Sequence, residues 1–377
     1  MNQVTHESAM RVSAVLRRAG LAVCSVALSV CLPAQAAEPT PCVASGAQDR
    51  PLATESYRIP SEMPGVELYM RNKRPNGVDL FPPERIVLYV HGATYPAETA
   101  FDLPLAGYSW MDFLACRGFD VYLVDLRGYG QSTRPPEMER PPADSPPLVT
   151  TDVAVRDVAA AVAHILNRRH VKRISLVGWS WGTTIMAAYA TQNPDKVHRL
   201  MLYAPLWLRT PAPADKAEPE QPLGAYRTVT KDAARKRWLN NVPEQKQKTL
   251  IPPGWFETWV DATWATDPTS AKSGLLRAPN GVMQDLRSYW AAGKPYYDPA
   301  RIASPTLITY AEWDADTPGY MAQQLFALLV NAPWKRLVEI GEGTHTVIME
   351  KNRTQLFSEV QLFLEEPDPA PPPPPPK

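Results

Sequence analysis

Short apolar runs alternate with segments of helical spacing along most of this chain. Six runs are predicted as buried strands, at Arg85–Val90, Phe119–Val124, Arg173–Val177, His198–Tyr203, Thr306–Tyr310 and Arg336–Ile340. Continuous apolar runs of this length are typical of strands that a parallel sheet buries on both faces. Between them, segments such as Asp152–Arg169 carry apolar residues at helical spacing. The alternation predicts an α/β fold with a doubly wound, mostly parallel sheet.

One interval of the 377-residue chain interrupts this alternation. Residues 206–303 show no clear strand–helix repeat, and they carry the tryptophans Trp207, Trp238, Trp255, Trp259, Trp264 and Trp290. We predict a mostly helical insertion there, a lid or cap over the strand ends. The sheet-forming core is then expected at 38–205 and 304–365. The proline-rich end at 366–377 is predicted to be disordered, because a polyproline stretch cannot join a packed core.

The N-terminus has the features of an export signal. Three arginines precede an apolar run at Ala19–Leu32, which is shorter than the about 20 residues of a membrane span. The small-residue stretch Ala-Gln-Ala-Ala follows at 34–37. We predict a signal peptide at 1–37 and a mature protein that is periplasmic or secreted, without stable membrane insertion. An uncleaved anchor is the alternative.

Cysteine and charge counts bound the compartment and the partners. Removal of the predicted signal leaves Cys42 and Cys116. In an oxidising compartment the two are candidates for a disulfide, and the alternative is that Cys116 is a small buried residue on a helix. Basic and acidic residues both number 39, so the formal net charge is zero. With no concentrated basic patch, a nucleic-acid partner is not expected.

The motif that points most directly to chemistry is Gly-Trp-Ser-Trp-Gly at residues 178–182, a match to the pattern G-x-S-x-G. The predicted strand Arg173–Val177 leads into it, and a predicted helix at Thr183–Gln192 follows it. A serine on such a strand-to-helix turn is strained and exposed to a substrate, and a side chain at either glycine would clash with neighbouring backbone. The context therefore predicts Ser180 as a nucleophile.

A general base for Ser180 is found by elimination among six histidines. Five lie in the predicted signal, within a helix, before or at the start of a strand, or in the first glycine turn: His6, His164, His170, His198 and His91. Only His345 follows the last predicted strand, where a triad in the chain order serine, acid, histidine has its base. The acid must accept the Nδ1 proton of that histidine. Three carboxylates follow the strand Thr306–Tyr310 as candidates: Glu312, Asp314 and Asp316.

Together these pieces resemble the α/β-hydrolase superfamily from about residue 55 to residue 364, excluding most of the predicted insertion. The resemblance rests on His-Gly-Ala-Thr at 91–94, the loop Asp125–Ser132, the turn around Ser180, Asp314 with Pro318 after it, and His345. It implies the α/β-hydrolase fold, and Asp314 as the acid with Asp316 as the alternative. It implies a bracing role for the loop at 125–132, and it does not specify a substrate.

The resemblance also implies an oxyanion hole made of two backbone N–H groups. One belongs to Trp181, and the other to Ala93 or, alternatively, Thr94. His345 would take the Ser180 proton during attack on a carbonyl, and water would release the acyl-enzyme. Thr94 and Trp179 are expected to contact substrate. No metal or other cofactor is expected, since the chain has neither zinc-like Cys/His spacing nor a phosphate-binding glycine loop.

Ser180 separates the chain from haloalkane dehalogenases and epoxide hydrolases, which have aspartate at this turn. We expect an exported serine hydrolase that cleaves an ester bond in a small-molecule substrate. Proline iminopeptidases are the main alternative, because the sequence around Ser180 and the loop at 127–132 are similar to theirs. Their His-Gly-Gly-Pro-Gly turn is His-Gly-Ala-Thr-Tyr here, and their substrate amine would need acidic residues such as Glu257 and Asp261. An acyltransferase or a binding protein on this scaffold are further alternatives. The sequence predicts no oligomeric state.

Overall fold

The computed structural model describes residue 42, residues 51–210 and residues 222–368. Its strands are β1 (Leu52–Pro60), β2 (Glu67–Pro75), β3 (Ile86–Val90), β4 (Asp120–Val124), β5 (Ile174–Trp179), β6 (Val197–Tyr203), β7 (Tyr226–Thr230), β8 (Leu275–Pro279), β9 (Thr306–Ala311) and β10 (Lys335–Ile340). Its α-helices are α1 (Ala97–Phe101), α2 (Trp110–Ala115), α3 (Thr151–Arg169), α4 (Trp181–Gln192), α5 (Lys231–Trp238), α6 (Glu244–Leu250), α7 (Trp255–Trp264), α8 (Ser270–Ser273), α9 (Gly281–Asp285), α10 (Gly319–Leu328) and α11 (Arg353–Glu365).

Eight of these strands form one sheet in the order β1-β2-β4-β3-β5-β6-β9-β10. β1 and β2 are antiparallel at one edge, β2 is antiparallel to β4, and the remaining pairs are parallel. Every residue of β3, β4, β5 and β6 is buried, which explains why their sequences are mostly apolar. The prediction of a mostly parallel α/β sheet is confirmed, and the six predicted strands all occur within two residues of their predicted ends.

Helices cover both faces of this sheet. Side chains of a strand alternate between the two faces. In β3, Leu88 packs in an apolar cluster with residues of α3, α4 and α10, whereas Val87 and Tyr89 pack in a second cluster with residues of α2 and α11. The doubly wound arrangement is therefore confirmed. It leaves the carboxyl ends of the parallel strands free for the loops that carry the site.

Between β6 and β9 the chain leaves the main sheet. β7 and β8 pair antiparallel as a separate two-stranded sheet, and α5 to α9 accompany them. The sequence predicted a mostly helical segment here and missed the strand pair, because β7 has no buried residue to give it an apolar pattern and its partner lies more than 40 residues away, without a local turn signal. Trp259 of this segment contacts Tyr95 edge-on, with ring centroids 4.7 Å apart. The motion of this segment as a lid stays a prediction.

Cys42 and Cys116 form a disulfide in the structure, with Cα atoms 5.5 Å apart. Cys116 directly follows α2 and is also buried, so the bond connects a residue preceding β1 to the helical layer. Of the two interpretations of these cysteines, the paired one is present.

Several predictions concern the two ends of the chain. The predicted signal peptide at 1–37 lies outside the described residues, as does residue 369 onward of the predicted tail. At the start of the predicted tail, Glu366 pairs with Arg336 at 2.5 Å and Asp368 with Arg199 at 3.1 Å, and the disorder of the tail stays a prediction. Within the described ranges, no helix is long and apolar enough to cross a membrane.

Candidate active site

Ser180 occupies the turn between β5 and α4. Its backbone angles are φ 57° and ψ −122°, a strained conformation for a residue with a side chain. A Cβ on Gly178 would lie 2.4 Å from the carbonyl oxygen of Gly182, and a Cβ on Gly182 would lie 2.5 Å from the carbonyl oxygen of Val90. Backbone contacts within the turn and with β3 therefore require the two glycines that the sequence motif contains.

His345 follows β10, Asp314 follows β9, and their side chains meet. His345 Nδ1 donates a hydrogen bond to Asp314 Oδ2 at 2.8 Å. Asp314 Oδ1 accepts the backbone N–H groups of Asp316 and Thr317 at 2.9 and 2.8 Å, and Oδ2 also accepts the Thr317 hydroxyl at 2.9 Å. The carboxylate is thus held in one orientation. Because Nδ1 of the neutral ring carries the proton, Nε2 has the free lone pair.

Among the three carboxylates that the sequence offered, Asp314 is the one that contacts His345 within the described residues. Asp316 instead receives Arg237 Nε at 2.9 Å. Glu312 accepts the backbone N–H of Glu342 at 2.8 Å. The geometry therefore favours the Asp314 interpretation over the Asp316 alternative.

The electrostatic surroundings of His345 favour its charged form. Burial lowers the pKa of His345, but the charge and hydrogen bond of Asp314, together with the charge of Asp316, outweigh burial and raise that pKa above its ordinary value of 6.5. Burial likewise acts to raise the pKa of Asp316, and the charges of His345 and Arg237 reverse the effect and lower it. The imidazole is thus neutral, and able to act as a base, only above its raised pKa.

The turn after β3 packs directly against the serine. A Cβ on Gly92 would lie 3.0 Å from Ser180 Cβ. Beside it, His91 Nδ1 donates to the Gly92 carbonyl oxygen at 2.7 Å, and His91 Nε2 accepts the Leu126 backbone N–H at 3.1 Å. Burial lowers the pKa of His91 to about 4, so this histidine is neutral and holds the turn in place.

The loop at 125–132 supports the same turn. The Tyr129 hydroxyl donates to the Ala93 carbonyl oxygen at 2.8 Å. Asp125 accepts the backbone N–H groups of Ala97 and Gln131 at 2.7 and 3.0 Å. These contacts agree with the predicted bracing role of the loop. The residues predicted to supply oxyanion donors, Ala93 and Trp181, line one cavity together with Ser180.

Two cavities meet at Ser180 and share Ala93, Thr94, Arg237 and Asp316. The first is narrow, about 20 Å³, with room for about one water molecule. Its other lining residues include His345 and four aromatic side chains, Tyr95, Trp179, Trp238 and Trp259. The second is about 290 Å³ and is also lined by Leu206, Arg209, Arg227, Val282, Met283, Leu286 and Thr317. The site therefore has one aromatic side and one side that combines apolar and cationic groups.

The predicted substrate contacts lie at these cavities. Trp179 lines the narrow cavity, and its Nε1 donates to the His345 carbonyl oxygen at 3.0 Å, which also holds the histidine loop. Thr94 lines both cavities, and its hydroxyl oxygen accepts hydrogen bonds from Arg227 at 3.0 Å and Arg237 at 3.3 Å. Sequence reasoning missed both arginines, because they belong to the insertion, where no motif marks them.

The acidic residues weighed for binding a substrate amine lie elsewhere. Glu257 pairs with Arg235 at 3.3 Å, and Asp261 pairs with Lys231 at 2.6 Å. Both carboxylates are more than half exposed, and neither lines the two cavities at Ser180. These groups form ion pairs on the surface of the insertion.

With this geometry established, comparison with known proteins gives the family. A model of the alpha/beta hydrolase fold matches residues 86–352. The chain belongs to the alpha/beta hydrolase fold family. It is 25% identical to human Protein ABHD8 over 270 residues, which cover 69% of this chain and 52% of that protein. It is 28% identical to Epoxide hydrolase 2 of Siraitia grosvenorii over 126 residues, 33% of each chain. The chain thus spans about half the length of ABHD8.

Solved structures share the architecture of this alpha/beta hydrolase. A thermophilic esterase from Thermogutta terrifontis has a TM-score of 0.52 at 18% identity, over 82% of this chain and 98% of that one. A 2-hydroxy-6-oxo-6-phenylhexa-2,4-dienoate hydrolase from Rhodococcus has a TM-score of 0.52 at 16% identity, over 83% and 99%. Likenesses at this identity show the fold alone. The prediction of the α/β-hydrolase fold is confirmed.

Proposed function

We propose that this protein is an exported serine hydrolase that cleaves carboxylic esters through Ser180, His345 and Asp314. One observation carries the proposal: a strained serine lines the same narrow cavity as a histidine whose Nδ1 is bound to a buried carboxylate. A serine hydroxyl becomes a useful nucleophile when an oriented base can take its proton. The aspartate keeps the histidine in the tautomer that can do so.

The proposed reaction has two halves. His345 Nε2 takes the Ser180 proton while the serine oxygen attacks the ester carbonyl, and the resulting imidazolium then protonates the leaving alcohol. In the second half, His345 activates a water molecule that attacks the acyl-serine, and the proton returns to Ser180 as the acid departs. The charge and hydrogen bond of Asp314, which raise the pKa of His345, stabilise the imidazolium that forms in each half.

Backbone donors supply the oxyanion hole in this proposal. Trp181 is the first residue of α4, where backbone N–H groups have no partner within the helix. Ala93 follows Gly92, whose close approach to Ser180 brings this turn against the nucleophile. Donors aimed at the developing oxyanion contribute about 3–4 kcal/mol each to transition-state stabilisation.

Ester cleavage is preferred to an aminopeptidase reaction because of the charges around Ser180. Arg237 lines both cavities and Arg227 lines the larger one. Guanidinium groups repel a substrate ammonium. Glu257 and Asp261, the acidic residues that such a substrate would need, are paired on the surface of the insertion.

Export is supported by two features. The N-terminal sequence has arginines, a short apolar run and a small-residue end. The disulfide between Cys42 and Cys116 is a bond typical of periplasmic and secreted proteins. We therefore propose a periplasmic or secreted location, with cleavage near residue 37.

The test is intact mass after exposure to a fluorophosphonate, on the wild-type protein, Ser180→Ala and Ser358→Ala. Ser358 is an exposed serine of α11, so its replacement controls for labelling of ordinary hydroxyls. We expect one adduct on the wild type and on Ser358→Ala, and none on Ser180→Ala. Short p-nitrophenyl esters should be hydrolysed faster than L-proline p-nitroanilide. An unlabelled but folded wild type would refute the nucleophile, and faster anilide cleavage would favour the peptidase alternative.

A further inference from the structure

The larger cavity at Ser180 contains an excess of positive charge. Three guanidinium groups line it, those of Arg209, Arg227 and Arg237, and Asp316 is the acidic residue among its described lining residues. Arg237 and Asp316 neutralise each other, since Arg237 Nε contacts both carboxylate oxygens at 2.9 and 3.1 Å. Arg209 is exposed and Arg227 is half-buried. Two cationic groups are thus left without a carboxylate in the described lining of this cavity.

Arg227 binds neutral oxygens. Its Nη2 donates to the Ala93 carbonyl oxygen at 2.5 Å and to the Thr94 hydroxyl at 3.0 Å, and its Nη1 donates to the Pro279 carbonyl oxygen at 2.5 Å. Burial lowers the pKa of Arg227, and the nearby charge of Arg237 acts in the same direction. A guanidinium stays protonated in proteins, so it carries its charge into this cavity at a cost in free energy.

Three buried arginines elsewhere in the fold are each balanced by a carboxylate, whereas the buried Arg353 binds the Leu105 carbonyl oxygen and packs on aromatic rings. Arg127 pairs with Asp157, Arg169 with Asp120, and Arg277 with Asp267, at 2.5 to 2.8 Å, and in each pair both side chains are nearly buried. These arginines have a carboxylate partner within the chain. Arg227 has none in the described residues, and it lines the cavity that contains the proposed nucleophile.

We propose that the substrate is an ester that carries a second, negatively charged group, and that Arg227 binds this group in the larger cavity. The inference rests on the proposed ester hydrolysis at Ser180. The contact of Arg227 with Ala93 brings the cation next to the turn that supplies the proposed oxyanion donor, so the anion would lie close to the reacting carbonyl. Arg209 adds positive charge at the exposed side, and Leu206, Val282, Met283 and Leu286 offer apolar contact for a short carbon chain.

The experiment uses two pairs of esters that differ by a carboxylate. 4-Nitrophenyl hydrogen glutarate and 4-nitrophenyl pentanoate test the acyl side, and 4-carboxyphenyl butyrate and phenyl butyrate test the alcohol side. The readout is the ratio of kcat/KM for the anionic ester to that for the neutral ester. A ratio cancels changes in overall activity that follow from the contact between Arg227 and Ala93. We expect the wild type to prefer the anionic member of at least one pair.

Variants at Arg227 then test the assignment. In Arg227→Gln the kcat/KM ratio for the pair in which the wild type prefers the anionic ester should fall about 10- to 100-fold. This is the change expected from the loss of one charge-assisted hydrogen bond to a carboxylate. Arg227→Lys should retain part of the preference. The matched control is Arg235→Gln, which removes a positive charge from α5 outside both cavities and should leave the ratio unchanged. If Arg227→Gln does not fold, Arg209→Gln, at an exposed position, is the substitute test. It should decrease the ratio by a smaller factor.

Labelling of Ser180 separates this inference from the proposed function. Glutarate, at matched ionic strength, should slow fluorophosphonate labelling of the wild type and not of Arg227→Gln, whereas neutral pentanamide should not protect. Protection without turnover of any of the four esters would retain the anion site and reject ester hydrolysis. Preference for the neutral ester in both pairs, or a ratio unchanged by Arg227→Gln, would overturn the anion site.

Discussion

Replacing Asp314 with asparagine should disable the proposed base while preserving the shape of the site. Asp314 Oδ1 accepts two backbone N–H groups, those of Asp316 and Thr317. An asparagine must therefore keep its carbonyl oxygen at that position, because its NH₂ group would face two donors. The NH₂ group then occupies the position of Oδ2 and meets His345 Nδ1, to which it donates.

This exchange of donor and acceptor forces the wrong tautomer on His345. Nδ1 becomes an acceptor, the ring proton moves to Nε2, and the lone pair that would take the Ser180 proton is lost. The equivalent change in a Ser-His-Asp triad lowers kcat about 10⁴-fold. We expect a loss of about 10³- to 10⁴-fold here, or about 4–5 kcal/mol in transition-state stabilisation. The pKa of His345 should also fall, because burial, which lowers it, is no longer opposed by the Asp314 charge.

The assay is kcat for a p-nitrophenyl ester across a pH series, with thermal melting to show that each variant is folded. Asp316→Asn is the matched control, since its carboxylate binds Arg237 and lies two residues away. Its loss should be at least about 100-fold smaller than that of Asp314→Asn. A comparable or larger loss in Asp316→Asn would refute the argument, as would an Asp314→Asn variant with nearly wild-type kcat.

Three further predictions follow from the same geometry. In the wild type, kcat/KM should rise with pH as His345 loses its proton, and the midpoint should lie above pH 6.5 because the pKa of His345 is raised. A pH–rate profile with a midpoint below 6.5 would contradict the assignment of His345 as the base. Gly182→Ala should lower the free energy of unfolding by at least about 2 kcal/mol in urea titrations, because the new Cβ would lie 2.5 Å from a backbone oxygen. The control Gly341→Ala should lower it by less than about 1 kcal/mol, because the nearest atom to its Cβ would lie 3.8 Å away. Equal losses in the two variants would refute the role of close packing. Cys116→Ser should cost about 2–4 kcal/mol by freeing the loop that the bond to Cys42 closes, and a reductant should destabilise the wild type but not the variant.

The fold and the turn that carries Ser180 were predictable because their signals are local. Strands buried on both faces must be apolar at successive positions, so β3 to β6 are recognisable one at a time. The glycines beside Ser180 are required by backbone contacts within a few residues or with the adjacent strand, and their spacing is written in the sequence. His345 was found because it follows the last strand of the sheet, and chain order alone decides that.

The choice between Asp314 and Asp316 needed the tertiary structure. The two carboxylates are two residues apart on one loop, so neither composition nor periodicity separates them. Arg237, 79 residues before Asp316 in the chain, is brought to it by the packing of α5 over the site. The backbone N–H groups of the same loop turn Asp314 toward His345.

The sequence by itself determined the parallel sheet, the serine turn and the order of the candidate triad, because each follows from backbone geometry over a few residues. Only the tertiary structure decided the pairing of β7 with β8, and with it the approach of Arg227 to the turn at Ala93 and Thr94. The contacts of Arg227 with Ala93 and Thr94 join residues more than 130 positions apart in the chain. Their strength depends on distance and burial in the folded protein, and a local sequence pattern contains neither.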